Sequence, residues 1–265
     1  MTDALVVRDL HKTFGGTKTL FGARSHAIHA VAGVSFTLAA GETLAIVGES
    51  GSGKSTIARM LVGLETPTSG AISIAGKDYS ALRAEGSRAF GRTIQYVFQD
   101  PVASLNPRRT IDRILDVPLR LLRGYDAAKR AARKRELLDA VQMPSDTLER
   151  YPHEFSGGQA QRIAIARALA AEAEIMVLDE PVSALDVSVQ AQVLLLLDDL
   201  KRELGLSYLF ISHDLAVVES IADRVGVMYL GQMVELDTAP NLFASPQHPY
   251  TNDLIASAPR LEGVT

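Results

Sequence analysis

The chain has 265 residues, with 27 basic and 31 acidic side chains and a formal charge of −4 at pH 7. This length suits one domain with a sizeable core, and the slightly acidic balance argues against a general nucleic-acid binder, which usually has a basic surface. The absence of cysteine excludes disulfides, thiolate metal sites and a cysteine nucleophile. The N-terminus lacks a signal-peptide pattern and the apolar runs are short, so we expect neither a signal peptide nor a membrane-spanning helix.

The first hundred residues are rich in short apolar and β-branched segments. We predict strands at residues 4–10, 31–38, 43–47, 71–74 and 93–98, and a polar loop at residues 15–30. From residue 100 the pattern changes, and we predict helices at residues 111–123, 126–142 and 156–171. Strands then alternate with helices: strands at residues 174–178, 206–211 and 225–229, and helices at residues 187–203 and 215–222. This alternation predicts a parallel, doubly wound sheet that carries a helical insertion.

Residues 48–55 fit the phosphate-loop pattern G-x-x-x-x-G-K-[ST], and they lie between a predicted buried strand and a predicted helix. The glycines let backbone N–H groups turn toward a phosphate, and the helix N-terminus adds its positive dipole end. Lys54 can reach the terminal phosphates, and the Ser55 hydroxyl can ligate magnesium. A glycine-rich turn without a ligand is the alternative, which the strand and helix in register disfavour. The predicted nucleotide-binding residues here are Gly48, Ser50, Gly51, Gly53, Lys54, Ser55 and Thr56.

A later apolar strand, at residues 175–178, runs directly into two carboxylates, Asp179 and Glu180. The carboxyl end of a strand is where open α/β sheets bind their ligands. We predict that Asp179 holds magnesium, directly or through water, and that Glu180 polarises the attacking water. The alternative is an exposed strand end with two solvated acids, and the phosphate loop upstream favours the functional interpretation.

Residues 156–159, Ser-Gly-Gly-Gln, open the last helix of the insertion. Small residues before a helix can make an anion-binding N-terminus, although such a segment alone is more simply a well-capped helix. It is accompanied by Gln99 at the end of a strand, by residues 183–186, Ser-Ala-Leu-Asp, and by His213 at the end of another strand.

This ordered set of motifs resembles the ATPase subunit of ATP-binding cassette (ABC) transporters, and the resemblance covers residues 5–259. It implies an α/β phosphate-loop ATPase core with a parallel sheet, an N-terminal antiparallel β subdomain and an inserted helical subdomain. The implied single ABC ATPase domain spans residues 1–265. Its parts are an α/β core at residues 1–98 and 173–235, a helical subdomain at residues 99–172 and a C-terminal extension at residues 236–265.

The resemblance also implies ATP and Mg²⁺ as cofactors and a role for each motif. Glu180 resembles the general base, His213 would contact the γ-phosphate, and Gln99 would report the nucleotide state to the helical subdomain. Phe14 would stack on adenine, the alternative being a core or loop aromatic. Two subunits would pack head to tail, so that each completes the ATP site of the other. The residues implied to act on the opposite subunit are Ser156, Gly157, Gly158 and Gln159, with Asp186 in the D-loop; the implied magnesium ligands are Ser55, Gln99 and Asp179.

Four further segments, at residues 98–107, 151–156, 181–190 and 245–251, resemble the oligopeptide and dipeptide importers, especially the shorter of their two ATPases, the F-type half. This implies a peripheral subunit on the cytoplasmic face of the inner membrane that energises peptide import. Its implied partners are a second ABC ATPase (a sister chain or itself), integral permease subunits and, indirectly, an extracytoplasmic solute-binding protein; no nucleic acid is implied. The same role for nickel, opines or another small solute stays open. An ABC ATPase outside transport and an exporter subunit have less support.

Overall fold

Two β-sheets organise the chain in the computed structural model, which describes residues 3–15 and 27–257. The strands of this part of the chain are β1 (Asp3–Phe14), β2 (Ile28–Ala39), β3 (Thr43–Val47), β4 (Ser69–Ile74), β5 (Lys77–Asp78), β6 (Ile94–Val97), β7 (Ile175–Asp179), β8 (Ser207–Ile211), β9 (Arg224–Tyr229) and β10 (Gln232–Thr238). Its helices are α1 (Lys54–Leu61), α2 (Tyr79–Glu85), α3 (Ser87–Thr93), α4 (Pro101–Ser104), α5 (Ile111–Leu121), α6 (Ala127–Ala140), α7 (Gly157–Leu169), α8 (Val187–Leu204), α9 (Leu215–Ile221), α10 (Ala239–Ala244) and α11 (Pro249–Ser257).

The N-terminal sheet is antiparallel, with the strand order β2–β1–β4–β5. Leu5 of β1 lies opposite Leu38 of β2 on one side and Ile74 of β4 on the other, and all three side chains are buried. Alternate residues of a strand point to one face, and here that face is apolar. The predicted antiparallel subdomain is confirmed. β1 runs past its predicted end to Phe14, and β2 begins at Ile28, within the predicted 15–30 loop, of which residues 16–26 lie outside the described part.

The larger sheet has six strands in the order β10–β9–β3–β8–β7–β6. Its strands are parallel except for β10, which pairs with β9 in the antiparallel direction. Every residue of β3, β7 and β8 is buried, as expected for parallel strands covered on both faces. The predicted parallel core is therefore confirmed. The edge strand β10 was not predicted, because its mixed sequence is only partly buried and has no clear alternation.

The carboxyl ends of β3, β8 and β7 meet at one edge of this sheet. Ile46 of β3 and Asp179 of β7 both lie opposite Ile211 of β8. The phosphate loop, Glu180 and His213 follow these strand ends within two residues, so the three segments leave the sheet side by side. This shared edge is what positions the candidate site.

Two hydrophobic clusters cover the opposite faces of the larger sheet. One face packs against the N-terminal sheet and α1, with Ile46 and Ile57 in the same cluster. The other face packs against the helices, and Leu115 of α5 shares a cluster with Phe210 of β8. The helical insertion thus shares its core with the α/β sheet. The boundaries drawn at residues 98/99 and 172/173 stay predictions.

The three helices predicted in the insertion correspond to α5, α6 and α7. The short helices α2 and α3 were not predicted, because residues 79–93 are polar and are interrupted by Gly86. The C-terminal helices α10 and α11 were also missed. Within residues 3–15 and 27–257, none of the helices combines the length and apolar character that crossing a membrane requires.

Candidate active site

The phosphate loop is built against neighbouring backbone, which explains two of its glycines. Gly48 has φ 145°, and a Cβ there would lie 2.2 Å from the carbonyl oxygen of Met228. Gly53 has φ 106°, and a Cβ there would lie 2.2 Å from the carbonyl oxygen of Ala30. Gly51 has φ 82° but open space around it, so only its backbone conformation favours glycine.

Lys54 begins α1 and is buried, with 5% of its surface exposed. Its ammonium donates hydrogen bonds to the carbonyl oxygens of Gly48 (2.6 Å) and Glu49 (2.7 Å). Burial lowers the pKa of Lys54, and the nearby carboxylates of Glu180, Asp179 and Glu49 oppose that shift. A buried ammonium beside the open N–H groups of a first helical turn is a strong site for an anion.

Ser55, the next residue of α1, faces the carboxylate at the end of β7. Its hydroxyl donates to Asp179 Oδ1 (3.1 Å), and the Tyr96 hydroxyl donates to Asp179 Oδ2 (2.5 Å). Burial and the neighbouring carboxylate raise the pKa of Tyr96, which keeps this donor protonated. A serine hydroxyl beside a carboxylate offers the hard oxygen ligands that Mg²⁺ prefers, so the residues present fit that ion.

Glu180 meets two other predicted catalytic side chains. Its Oε2 accepts a hydrogen bond from Gln99 Nε2 (2.9 Å), and its Oε1 lies 3.3 Å from His213 Nδ1. The Glu180 backbone has φ 49°, and its N–H donates to the Ile211 carbonyl (2.9 Å). A non-glycine residue in this left-handed region is uncommon, and such residues cluster at functional sites. Two residues that are far apart in sequence, Gln99 and His213, thus converge on the Glu180 carboxylate.

The Ser156–Gln159 segment forms a reciprocal cap at the start of α7. Ser156 accepts from the Gln159 N–H (3.4 Å), and the Gln159 side chain accepts from the Ser156 N–H (3.0 Å). A Cβ on Gly158 would lie 2.3 Å from Val189 Cγ1 of α8, so this glycine allows close helix packing. Asp186 caps α8 by accepting from the Val189 N–H (3.0 Å). These contacts are local, and action on an opposite subunit stays a prediction.

Phe14 lies at the end of β1 with 38% of its surface exposed. The Lys12 ammonium lies 4.7 Å from the centroid of its ring and also pairs with Glu65 (2.9 Å). Phe14 is therefore a partly exposed surface ring rather than a core aromatic, a state compatible with stacking on a base. The adenine-stacking role stays a prediction.

Tyr96 was not among the sequence-predicted site residues. It lies in the middle of β6, where an aromatic residue is an ordinary strand former, and no local pattern marks its hydroxyl. Only the parallel pairing of β6 with β7 brings it beside Asp179.

Comparisons with known proteins show the family to which the chain belongs. Residues 31–183 match the family model described as ABC transporter. The chain belongs to the ABC transporter family. The oligopeptide transport ATP-binding protein AppF of Bacillus subtilis (strain 168) is 51% identical over 256 residues, which cover 96% of this chain and 78% of that protein. The dipeptide transport ATP-binding protein DppF of Haemophilus influenzae is 50% identical over 252 residues, or 95% of this chain and 77% of that protein.

Solved ABC cassettes have the same fold as this family member. The dimeric post-hydrolysis state of the cassette MJ0796, bound to ADP and Pi, superposes with a TM-score of 0.77 at 28% identity, covering 89% of this chain and 98% of that chain. The cassette cbiO1 from Clostridium perfringens superposes with a TM-score of 0.79 at 26% identity, covering 92% of each chain. The predicted fold class is confirmed, and the chain is an ATPase subunit of this family.

Proposed function

We propose that this chain hydrolyses ATP to energise an ABC importer for short peptides. The observation that carries the catalytic part is the convergence of Gln99 and His213 on the Glu180 carboxylate, at the sheet edge that holds the phosphate loop. The peptide part is supported by two relatives at about half identity, whose names describe oligopeptide and dipeptide transport. Import of nickel, opines or another small solute by the same mechanism is the alternative.

The proposed mechanism assigns one task to each group of the site. The phosphate loop and Lys54 bind the triphosphate, and Ser55 and Asp179 hold Mg²⁺, with Gln99 as a further ligand. Mg²⁺, when bound, offsets charge on the phosphate oxygens. Glu180 polarises the attacking water, and His213 orients the γ-phosphate.

Hydrolysis is proposed to need two chains. ABC ATPase cassettes dimerise, and the exposed N-terminus of α7 is suited to approach the phosphates bound by the opposite chain. In that arrangement Ser156 contributes to the partner's site rather than to its own. Ser156→Arg should therefore leave ATP binding by the monomer intact and block hydrolysis. Equal loss of monomer binding would contradict the shared site.

An apolar groove lined by Phe98 is the proposed contact for a membrane permease, which would hold the chain at the cytoplasmic face of the membrane. The groove has a volume of about 480 Å³, and the side chains of Leu64, Phe98 and Leu121 at its rim are exposed. Exposed apolar patches of this kind mark interaction surfaces. Phe98 packs edge-on against Tyr96 (4.5 Å between centroids), and Tyr96 bonds Asp179. A permease in the groove would thus contact Phe98, which is connected through Tyr96 to Asp179 of the proposed metal site.

The test of the catalytic proposal is Glu180→Gln in the assembled transporter. Loss of a general base should lower steady-state ATP hydrolysis by about 10²–10⁴-fold while ATP binding persists. Glu203→Gln, an exposed acid at the end of α8, is the matched control and should behave like the wild type. Wild-type turnover in Glu180→Gln would refute the role.

The test of the cargo is uptake by a deletion strain that carries either the wild-type chain or Lys54→Ala. Labelled di- to pentapeptides, nickel and opines are compared. Peptide uptake that is lost on deletion and restored only by the wild type supports the proposal. Intact peptide uptake with loss of another solute would keep the mechanism and overturn the cargo.

A further inference from the structure

The C-terminal helix α11 reaches back to the phosphate loop. The Tyr250 hydroxyl accepts a hydrogen bond from the backbone N–H of Glu49 at 3.1 Å, although the two residues are 201 positions apart. The sequence around Tyr250 predicted neither the helix α11 nor this contact, which depends on how α11 packs in the folded chain. The contact joins the last described helix to the nucleotide site.

The Gly48–Glu49 peptide group is held at both of its polar ends. The Gly48 carbonyl accepts from Lys54 Nζ (2.6 Å), and the Glu49 N–H donates to Tyr250. Gly48, at φ 145°, has no Cβ, so it restricts rotation of the following peptide plane less than any other residue would. When Lys54 turns toward a phosphate, the bond to Tyr250 becomes the hydrogen bond that keeps this peptide in its orientation.

Tyr250 is itself firmly placed. Its ring packs against Tyr229 at the end of β9, with 4.2 Å between centroids and 33° between planes. Its N–H donates to His248 Nδ1 (3.2 Å). The Glu235 carboxylate of β10 accepts from the N–H groups of Gln247 (2.8 Å) and His248 (3.0 Å), which fixes the turn before α11. The hydroxyl therefore approaches the loop from a braced segment and not from a free tail.

We propose that Tyr250 is a positioning residue of the phosphate loop, which holds the loop in its phosphate-accepting shape through the Glu49 N–H. This inference rests on the proposed function, since it assigns a role toward the triphosphate. Tyr250 touches the loop backbone, and it acts on the nucleotide only through that backbone. A loop that is preformed binds its ligand more tightly because less ordering is needed on binding.

The test is Tyr250→Phe in the full chain, which removes the hydroxyl and keeps the ring against Tyr229. One hydrogen bond of this kind corresponds to about a two- to tenfold change in an equilibrium constant. We expect the Kd for ATP to rise by about that factor, and the Kd for inorganic tripolyphosphate, measured by competition, to rise equally. Amide hydrogen exchange of the Glu49 peptide should become faster. Tyr229→Phe is the matched control, because it keeps the same ring pair and removes the other hydroxyl.

Two results would overturn the inference. One is a Tyr250→Phe variant that binds ATP and tripolyphosphate like the wild type. The other is an equal weakening by Tyr229→Phe, which would indicate a general effect of the tyrosine pair. Failure of the proposed function gives a different result: the wild type would bind no ATP, or Lys54→Ala would bind it as tightly as the wild type.

Discussion

Gly158→Ala tests whether close helix packing, rather than chain flexibility, requires a glycine at the start of α7. The new Cβ would lie 2.3 Å from Val189 Cγ1, whereas carbon atoms in good contact are about 3.5–4.0 Å apart. Relieving an overlap of more than about 1 Å requires Val189 to leave its preferred helical rotamer or α7 and α8 to separate, and overpacking of this kind costs about 1–3 kcal/mol. Alanine is a better helix former than glycine and offsets up to about 1 kcal/mol of that.

Because so severe an overlap belongs at the upper end of the overpacking range, about 2–3 kcal/mol, the expected net loss of stability is about 1–2 kcal/mol. It is measured by urea unfolding followed by circular dichroism and tyrosine emission, since the chain has no tryptophan. Gly157→Ala is the matched control. Its Cβ would lie 3.3 Å from Leu185 Cδ2, the end of a flexible side chain, so little loss is expected.

A double mutant separates the overlap from other effects of the substitution. Val189→Ala removes the methyl group that the new Cβ would strike, so Gly158→Ala should cost much less in that background. The expected coupling energy is about 1 kcal/mol or more, which is well within what contacting residues show. Wild-type stability of Gly158→Ala, or an unchanged cost in the Val189→Ala background, would refute the packing argument.

Three further predictions concern the loop, the metal site and the C-terminal turn. Gly53→Ala should abolish ATP binding because its Cβ would strike the Ala30 carbonyl. Gly51→Ala should still bind ATP, because its Cβ has open space and the left-handed backbone alone raises the free energy of the loop by about 1–2 kcal/mol. Nucleotide titration of both variants checks this. Tyr96→Phe should raise the Mg²⁺ concentration for half-maximal hydrolysis, because Asp179 loses a fixed donor. Burial would raise the pKa of the Glu235 carboxyl, but the hydrogen bonds that it accepts outweigh burial and lower that pKa below its ordinary value of 4.5. The stability that the ionised carboxylate adds to the fold is therefore fully present above pH 4.5 and is lost as the pH falls through the lowered pKa. In Glu235→Gln, Tm measured against pH should lack this acid dependence.

The sequence predicted the parts of the site whose residue types are dictated by ligand chemistry. A phosphate loop needs glycines and a lysine, and a metal-dependent hydrolase needs carboxylates, so residues 48–55 and Asp179 stand out in a single sequence. Fully buried strands such as β3 and β8 stand out for a related reason, since burial on both faces leaves a continuous, mainly apolar run. Half-buried elements such as β10 carry no comparable signal.

The residues that prediction missed are those that act on the site from neighbouring elements. Tyr96 and Tyr250 each offer only a hydroxyl, one to the Asp179 carboxylate and the other to the Glu49 N–H. Their positions follow from strand pairing and from the docking of α11, which no local pattern encodes. Burial raises the pKa of both tyrosines above the ordinary value of 10, so both hydroxyls are neutral at neutral and acidic pH. Acid should therefore loosen the C-terminal contact with the phosphate loop through Glu235, and not through the tyrosine that makes it.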